Sequence, residues 1–164
     1  REILEGRPLT ITDPAMTRFV MTLDHAVDLV LYAFENGANG DIFVQKAPAV
    51  TIADLATATA RVMGKPDHPV RVIGTRHGEK LFETLLSREE RAIAQDLDEY
   101  YRVPPDNRDL NYDKYVREGE RGLSEAVEFN SHNARRLSVD EVAEVLDDLP
   151  FIQQIRSGSI GDGQ

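Results

Sequence analysis

The chain has 164 residues, of which 19 are basic and 29 acidic, and this net charge of −10 argues against binding to nucleic acid or to an anionic membrane. It contains no cysteine, which excludes a disulfide framework and a thiolate metal site. The absence of cysteine fits a reducing cytoplasm, where we expect the protein. Its length suits one domain with a sizeable core, and its apolar runs fall well short of the roughly 18 residues of a membrane span, so we expect no membrane segment.

The first elements are predicted to alternate between strand and helix. Residues 9–13 show the alternation of apolar and polar side chains that favours a strand. Thr22 is placed to cap a helix that runs to about Asn36, since apolar side chains follow at helical spacing and Gly37 can close it. Residues 41–45 form the second strand candidate.

The same alternation continues through the middle of the chain. The pattern of a capping box at residues 51–54 predicts a helix that ends near Met63. Residues 70–73 alternate like a half-buried strand, and a helix is expected over residues 81–97, with a break near Ser87. This order of elements is typical of the α/β class, although the strands are too few for a doubly wound sheet of their own.

The last third of the chain is predicted to be more irregular. A short strand at residues 99–103 is followed by a turn-rich loop at residues 104–109. A second capping box, at residues 138–141, opens an amphipathic helix, and another short helix begins at Pro150. The glycine- and serine-rich tail, residues 157–164, is expected to be disordered.

The segment Gly74–Leu81 is the strongest candidate for a binding site. It places a basic and an acidic side chain around a glycine turn that follows an apolar strand. The planar guanidinium of Arg76 could hold a phosphate there through two parallel hydrogen bonds, and Glu79 could accept hydrogen bonds from sugar hydroxyls. The alternative is a solvated turn whose surface ion pair is worth about 0–1 kcal/mol.

A second arginine, Arg18, lies in the segment Met16–Phe19, which we expect at the entry to the first helix, before its cap at Thr22. The turn at Asp13–Pro14 could aim its side chain into a cleft, and a surface arginine without a ligand is an equally good interpretation. We hypothesise that Arg18 and Arg76 converge on one diphosphate.

The polar segment Asn130–Asn133 could orient a ligand or fix the surrounding loop, and the structural role is favoured because such side chains commonly satisfy loop backbone. The four histidines show no metal-ligand spacing. No hydrolytic triad or Gly-x-Ser-x-Gly elbow can be assembled. We therefore assign no catalytic and no metal-binding residue.

Four segments together resemble the CapD/CapE-type polysaccharide-biosynthesis proteins, which are extended short-chain dehydrogenase/reductases acting on UDP-N-acetylglucosamine. These segments are Thr12–Phe19, Gly74–Glu83, Tyr101–Asp106 and Asn130–Asn133. The resemblance implies a Rossmann domain that holds NAD(P) and a smaller C-terminal domain that binds a UDP-sugar. It also implies 4,6-dehydratase or 4-epimerase activity in the biosynthesis of capsular or other surface polysaccharides.

The chain departs from that family in its cofactor and acid–base motifs. No glycine-rich fingerprint precedes a strand, since Gly37–Gly40 follows a helix, and no tyrosine has a lysine four positions later. The chain thus resembles the C-terminal substrate-binding portion of such an enzyme, with its Rossmann core missing. We expect a UDP-sugar-binding domain at residues 1–156, a family-specific extension at about 98–137, no bound NAD(P), and no activity of the chain by itself.

The resemblance also assigns roles to individual residues. It implies that Arg18 is the diphosphate-binding arginine, that Met16 lies near the nucleotide, and that Arg76 and Glu79 belong to a loop contacting phosphate and ribose. It implies no role for the third and fourth residues of the Asn130–Asn133 segment, His132 and Asn133.

The resemblance finally bears on the partners of the chain. It implies that the first helix and the strand at residues 41–45 lie against the missing Rossmann domain, so alone they would expose an apolar face and a strand edge and cause self-association. Because the chain opens with Arg1, we expect a processed product or a piece of something longer. The alternative function is a non-catalytic protein-interaction or regulatory module that retains the fold.

Overall fold

The computed structural model describes residues 1–105 and 125–158, and no helix among them is long and apolar enough to cross a membrane. The chain divides into two compact units, which are described separately. The first comprises Arg1–Phe19, Ala49–Phe82 and Arg135–Gln164, and the second comprises Val20–Pro48 and Glu83–Ala134.

The mixture of helices and strands confirms the predicted α/β class. In chain order, the described elements are β1 (Leu9–Ile11), β2 (Thr17–Phe19), α1 (Leu23–Asn36), β3 (Ile42–Gln45), β4 (Ala49–Thr51), α2 (Ile52–Val62), β5 (Val70–Val72), β6 (Thr84–Leu86), α3 (Arg88–Ile93), β7 (Gln95–Leu97), β8 (Tyr100–Val103), β9 (Phe129–Asn130), α4 (Val139–Asp147) and α5 (Pro150–Arg156).

The first unit combines two small sheets with a pair of helices. β1 pairs in parallel with β5, and β2 pairs antiparallel with β4. Helix α2 packs against α4, and the Arg61 guanidinium of α2 pairs with the Asp140 carboxylate of α4. Because parallel strands end at the same edge of a sheet, the loop after β1 lies beside the loop after β5.

The second unit is built from antiparallel pairs. One sheet has the strand order β3–β8–β7, and β6 pairs with β9 in a register that shifts between Thr84 and Leu86. The core of this unit holds the buried side chains of Leu86, Tyr101 and Val103, against which partly buried apolar neighbours pack.

Helix α1 of the second unit has no buried residue. It begins where the Thr22 hydroxyl accepts a hydrogen bond from the backbone N–H of His25 at 3.2 Å, and it ends at Gly37. Several of its apolar side chains are exposed, Leu23 to 80% and Phe34 to 84%, and Val27, Val30 and Leu31 are also exposed. The exposed apolar face predicted from the sequence is therefore present. Strand β3 pairs with β8 on one side, and no second strand pairs with it among the described residues.

Most predicted elements are confirmed with shorter bounds. The strands predicted at 9–13, 41–45 and 99–103 are β1, β3 and β8, and the capped helices are α1, α2 and α4, with α5 beginning at Pro150. The loop at 104–109 and the tail at 157–164 lie mostly outside the described residues. The extension at about 98–137 runs partly outside them, so the domain boundaries stay a prediction.

The helix expected over residues 81–97 is wrong. The structure has β6, then the short helix α3, then β7. β6 forms because it pairs with β9, which buries Leu86 to 1% exposure. Ser87 then starts a new helix through a complete capping box with Glu90, and Ala94 ends it in an extended conformation.

The half-buried strand expected at residues 70–73 is present as β5, but the prediction of its burial is wrong. All three of its residues are exposed, with Val70 at 44% and Val72 at 56%. Among the described residues, β5 pairs with β1 alone, so its alternating side chains gain no covered face within the unit.

Candidate functional site

The four residues predicted to bind a ligand lie in the first unit, on two segments that a backbone hydrogen bond holds together. Met16 and Arg18 belong to the segment that leads into and forms β2, whereas Arg76 and Glu79 lie on the loop after β5. The backbone N–H of Thr17 donates to the carbonyl oxygen of Leu81 at 3.0 Å, which fixes the start of β2 against the end of that loop.

The loop after β5 is folded around the carboxylate of Glu79. Gly74 and Gly78 have φ angles of 83° and 77°, a left-handed conformation that other residues rarely adopt. Between them, the backbone N–H of Arg76 donates to Glu79 Oε2 at 3.1 Å, and the backbone N–H of Glu79 donates to the carbonyl oxygen of Arg76 at 3.1 Å. The two glycines thus permit a turn that presents Arg76 and Glu79 together.

Thr12, which follows β1, completes the surroundings of this carboxylate. Its hydroxyl lies 3.0 Å from Glu79 Oε1 and 3.4 Å from the sulfur of Met16. A hydroxyl has one proton to donate, and a carboxylate oxygen accepts it better than a thioether does. The hydrogen bond therefore goes to Glu79, and the buried Met16 packs beside it.

Arg18 lies on β2, which precedes α1, so its predicted place at the entry to the first helix is confirmed, although the strand itself was not predicted. It belongs to a strand because Thr17, Arg18 and Phe19 pair with β4, with Arg18 opposite Val50. Its guanidinium donates to the carbonyl oxygen of Thr17 at 2.7 Å and to that of Lys80 at 2.8 Å. It also lies 3.8 Å from the sulfur of Met16. The half-buried side chain thus bridges the strand and the end of the glycine loop.

The charges of both arginines act on the same carboxylate. The backbone N–H of Arg76 is the main cause that lowers the pKa of Glu79, and the Thr12 hydroxyl and the charges of Arg76 and Arg18 lower it further, against the opposing effect of burial. Glu79 is therefore an anion at neutral pH that has two guanidinium groups within electrostatic reach. Within the described residues no hydrogen bond holds the exposed side chain of Arg76, which leaves it available to a ligand.

The arrangement can serve a ligand that carries both an anion and hydroxyl groups. The guanidinium groups favour phosphate oxygens, and the carboxylate accepts hydrogen bonds from hydroxyls. Sequence reasoning identified these charged groups but assigned no role to Thr12. Both strands were predicted, but their parallel pairing was not. That pairing places the residues that follow each strand side by side, and it would have pointed to Thr12.

The polar segment Asn130–Asn133 forms a hydrogen-bond network inside the second unit. The side-chain oxygen of Asn130 accepts hydrogen bonds from the backbone N–H groups of His132 and Asn133 at 2.9 and 3.0 Å. In turn, the backbone N–H of Asn130 donates to Oδ1 of Asn133 at 2.9 Å. Ser131 exchanges two hydrogen bonds with the backbone of Glu83. These contacts satisfy loop backbone, in agreement with the structural role that the sequence favoured.

The glycine pair Gly37 and Gly40 does not form a dinucleotide-binding turn. Gly37 closes α1, and a side chain at Gly40 would meet Pro105 at 2.9 Å, so this glycine pair forms no cradle at the start of a helix. In residues 1–105 and 125–158, no group of three or more histidine, aspartate or glutamate side chains is placed to hold a metal ion.

Comparison with known families finds matches along most of the chain. The model of the family described as "Polysaccharide biosynthesis protein" matches residues 1–105, and that described as "Polysaccharide biosynthesis protein C-terminal" matches residues 106–153.

Similar proteins are known by sequence and by structure. Proteins named UDP-glucose 4-epimerase from Rickettsia canadensis (strain McKiel) and Rickettsia felis (strain ATCC VR-1525 / URRWXCal2) are each 54% identical over 153 residues, which is 93% of this chain. The chain spans 45% of the length of these relatives. The X-ray structure of Pen from Bacillus thuringiensis aligns with 88% of this chain and 42% of that chain, with a TM-score of 0.69 and 25% identity.

Proposed function

We propose that this chain, which belongs to the polysaccharide biosynthesis protein family, is the UDP-sugar-binding portion of an NAD(P)-dependent 4-epimerase or 4,6-dehydratase. The names of the relatives support a UDP-sugar and an epimerase. UDP-glucose follows from those names, whereas UDP-N-acetylglucosamine follows from the sequence resemblance. We propose a role in the biosynthesis of surface polysaccharide.

The observation that carries this proposal is the cluster of Arg18, Arg76 and Glu79. With a net charge of −10, the chain as a whole repels anions, so an anionic ligand requires a local group of cations. Two guanidinium groups near one carboxylate supply that group, and the carboxylate offers acceptors for the hydroxyls of a ribose. A diphosphate joined to a ribose, as in UDP, has both features.

The cluster would contribute to catalysis by holding the part of the substrate that does not react. Binding energy from a remote diphosphate can be used to orient the reacting sugar, and such anchoring is worth most when the reacting atoms need exact placement. NAD(P) would supply hydride removal and return. Since the Gly37 and Gly40 pair forms no cradle for that cofactor, we propose that it binds in the part of the relatives that this chain does not span.

Calorimetric titration with UDP tests the proposal. We expect weak binding to the wild-type chain that is lost in both Arg18→Ala and Arg76→Ala, because each removes one cation from the cluster. Arg71→Ala is the matched control, since it removes an exposed arginine from β5 of the same unit without touching the cluster. Absence of UDP binding to the wild-type chain, or equal binding by the Arg18 and Arg76 variants, would contradict the proposal.

A second candidate function is a protein-interaction module, and the exposed apolar face of α1 favours it. A helix that presents apolar side chains at helical spacing suits a partner with an apolar groove. Failure to bind UDP, together with a stable hetero-complex that is lost when Phe34 is replaced by serine, would support this function over the first.

A further inference from the structure

We infer that Thr12 is a positioning residue that makes the site selective for a ribose, by holding the Glu79 carboxylate ready to receive the two neighbouring ribose hydroxyls. This inference rests on the proposed function and deepens it. The resemblance to a known family assigns no role to Thr12, and the structure places its hydroxyl 3.0 Å from Glu79 Oε1, across 67 positions of sequence.

The first step of the argument is the number of acceptors that Glu79 retains. A carboxylate has about four lone-pair positions, two on each oxygen. The backbone N–H of Arg76 occupies one position on Oε2, and the Thr12 hydroxyl occupies one on Oε1. Each oxygen thus keeps one acceptor position, and two adjacent acceptors match the two hydroxyls of a ribose.

The second step is the orientation of the carboxylate. The terminal torsion of a glutamate side chain has only broad preferences, so a hydrogen bond on each oxygen restricts the carboxylate more than one bond does. The Arg76 N–H holds one oxygen from the loop itself, and Thr12 holds the other from a separate strand end. Without the Thr12 hydroxyl, the carboxylate would be held at a single oxygen and could turn away from the diol.

The third step is the rigidity of Thr12 itself. It follows β1, which is paired with β5, and the backbone N–H of Ile73 donates to the carbonyl oxygen of Ile11 at 2.9 Å. The strand pair therefore fixes the distance between Thr12 and the glycine loop. Thr12 is half-buried and lies against the buried Met16, so its β-branched side chain has little freedom to rotate.

The test compares UDP with 2′,3′-dideoxy-UDP, which lacks both ribose hydroxyls, in titrations of the wild-type chain, Thr12→Val and Thr12→Ser. Valine keeps the shape of threonine without its proton, and serine keeps the hydroxyl. We expect the wild-type chain to prefer UDP by about tenfold or more, because two hydrogen bonds to a charged acceptor are lost with the dideoxy compound. Thr12→Val should reduce this preference below about threefold by weakening UDP alone, and Thr12→Ser should keep it.

Thr84→Val, on an exposed strand position of the second unit, is the matched control and should behave like the wild-type chain. If Thr12→Val retains the wild-type preference, or weakens both nucleotides equally, the inference is overturned. The proposed function survives in that case if Arg18→Ala and Arg76→Ala still abolish UDP binding. If the wild-type chain binds neither nucleotide at millimolar concentration, the proposed function itself fails and the inference fails with it.

Discussion

Arg18 on β2 donates a hydrogen bond through Nη2 to the carbonyl oxygen of Lys80, 2.8 Å away and 62 positions later in the chain. A second nitrogen of the same guanidinium donates to the carbonyl oxygen of Thr17 at 2.7 Å. The guanidinium of Arg18 therefore fixes the end of the glycine loop to strand β2. Arg18 can therefore affect a bound ligand in two ways, through its positive charge and through the position of the loop that it holds.

Replacement of Arg18 by lysine should separate geometry from charge. A lysine keeps the positive charge but cannot reach the carbonyl oxygens of Thr17 and Lys80 with two fixed donors. We expect UDP affinity to fall about tenfold in Arg18→Lys and further in Arg18→Ala, as measured by calorimetry. Arg71→Lys is the control on β5. Wild-type affinity in Arg18→Lys would show that charge alone matters at this position.

The sequence predicts those elements whose signals are local. The hydroxyls of Thr22, Thr51 and Ser138 each accept a hydrogen bond at a helix start, as their spacing indicated. The segment at 81–97 was misread because its apolar residues fit a helical period as well as a strand. Its pairing with β9 decided between them, and a partner strand so distant in sequence leaves no trace in a local pattern.

The candidate site shows the same division between local and distant signals. Arg76 and Glu79 were recognised together because one glycine turn holds both, and the structure shows them hydrogen-bonded through Arg76 N–H. Arg18 was correctly placed before the first helix, but its strand was not predicted, since nothing in residues 16–19 reveals that they pair with β4. Thr12 escaped notice for a related reason, because its contact with Glu79 depends on the parallel pairing of β1 with β5.

The capping box of α4 should make stability depend on acidic pH. The backbone N–H of Ser138 is the main cause that lowers the pKa of Glu141 to about 2, and the Arg135 guanidinium and the Ser138 hydroxyl lower it further. A carboxyl whose folded pKa lies below its unfolded value of 4.5 stabilises the fold fully above pH 4.5. This contribution should disappear as the pH falls from 4.5 towards 2.

Urea unfolding across this pH range measures the effect of Glu141. The difference in unfolding free energy between the wild-type chain and Glu141→Gln should be constant at neutral pH and should shrink as the pH is lowered. Glu144→Gln removes a carboxylate from the same helix without touching the cap, so it is the matched control. A wild-type advantage over Glu141→Gln that stays unchanged down to pH 2 would contradict the prediction.

The core of the second unit should be sensitive to the loss of Leu86. This side chain is 1% exposed and packs with Tyr101 and Val103, whereas the neighbouring Leu85 is 39% exposed. Leu86→Ala should lower the free energy of unfolding by about 2–5 kcal/mol, because it removes buried apolar surface and leaves a cavity. Leu85→Ala should cost less than about 1 kcal/mol. Equal decreases in unfolding free energy for the two variants, measured by urea unfolding, would contradict the burial of Leu86 in this core.

The apolar face of α1 should drive association of the isolated chain. Leu31 is 55% and Phe34 84% exposed, and the edge of β3 is unpaired among the residues that the structure describes. Because exposed apolar faces and open strand edges favour contact between chains, we expect a molar mass above that of the monomer in sedimentation equilibrium. Replacing Leu31 and Phe34 by serine should shift the equilibrium towards the monomer, whereas Asp28→Ser on the same helix should not. A monodisperse wild-type monomer at high protein concentration would contradict this prediction. It would show that the exposed side chains of α1 do not cause association.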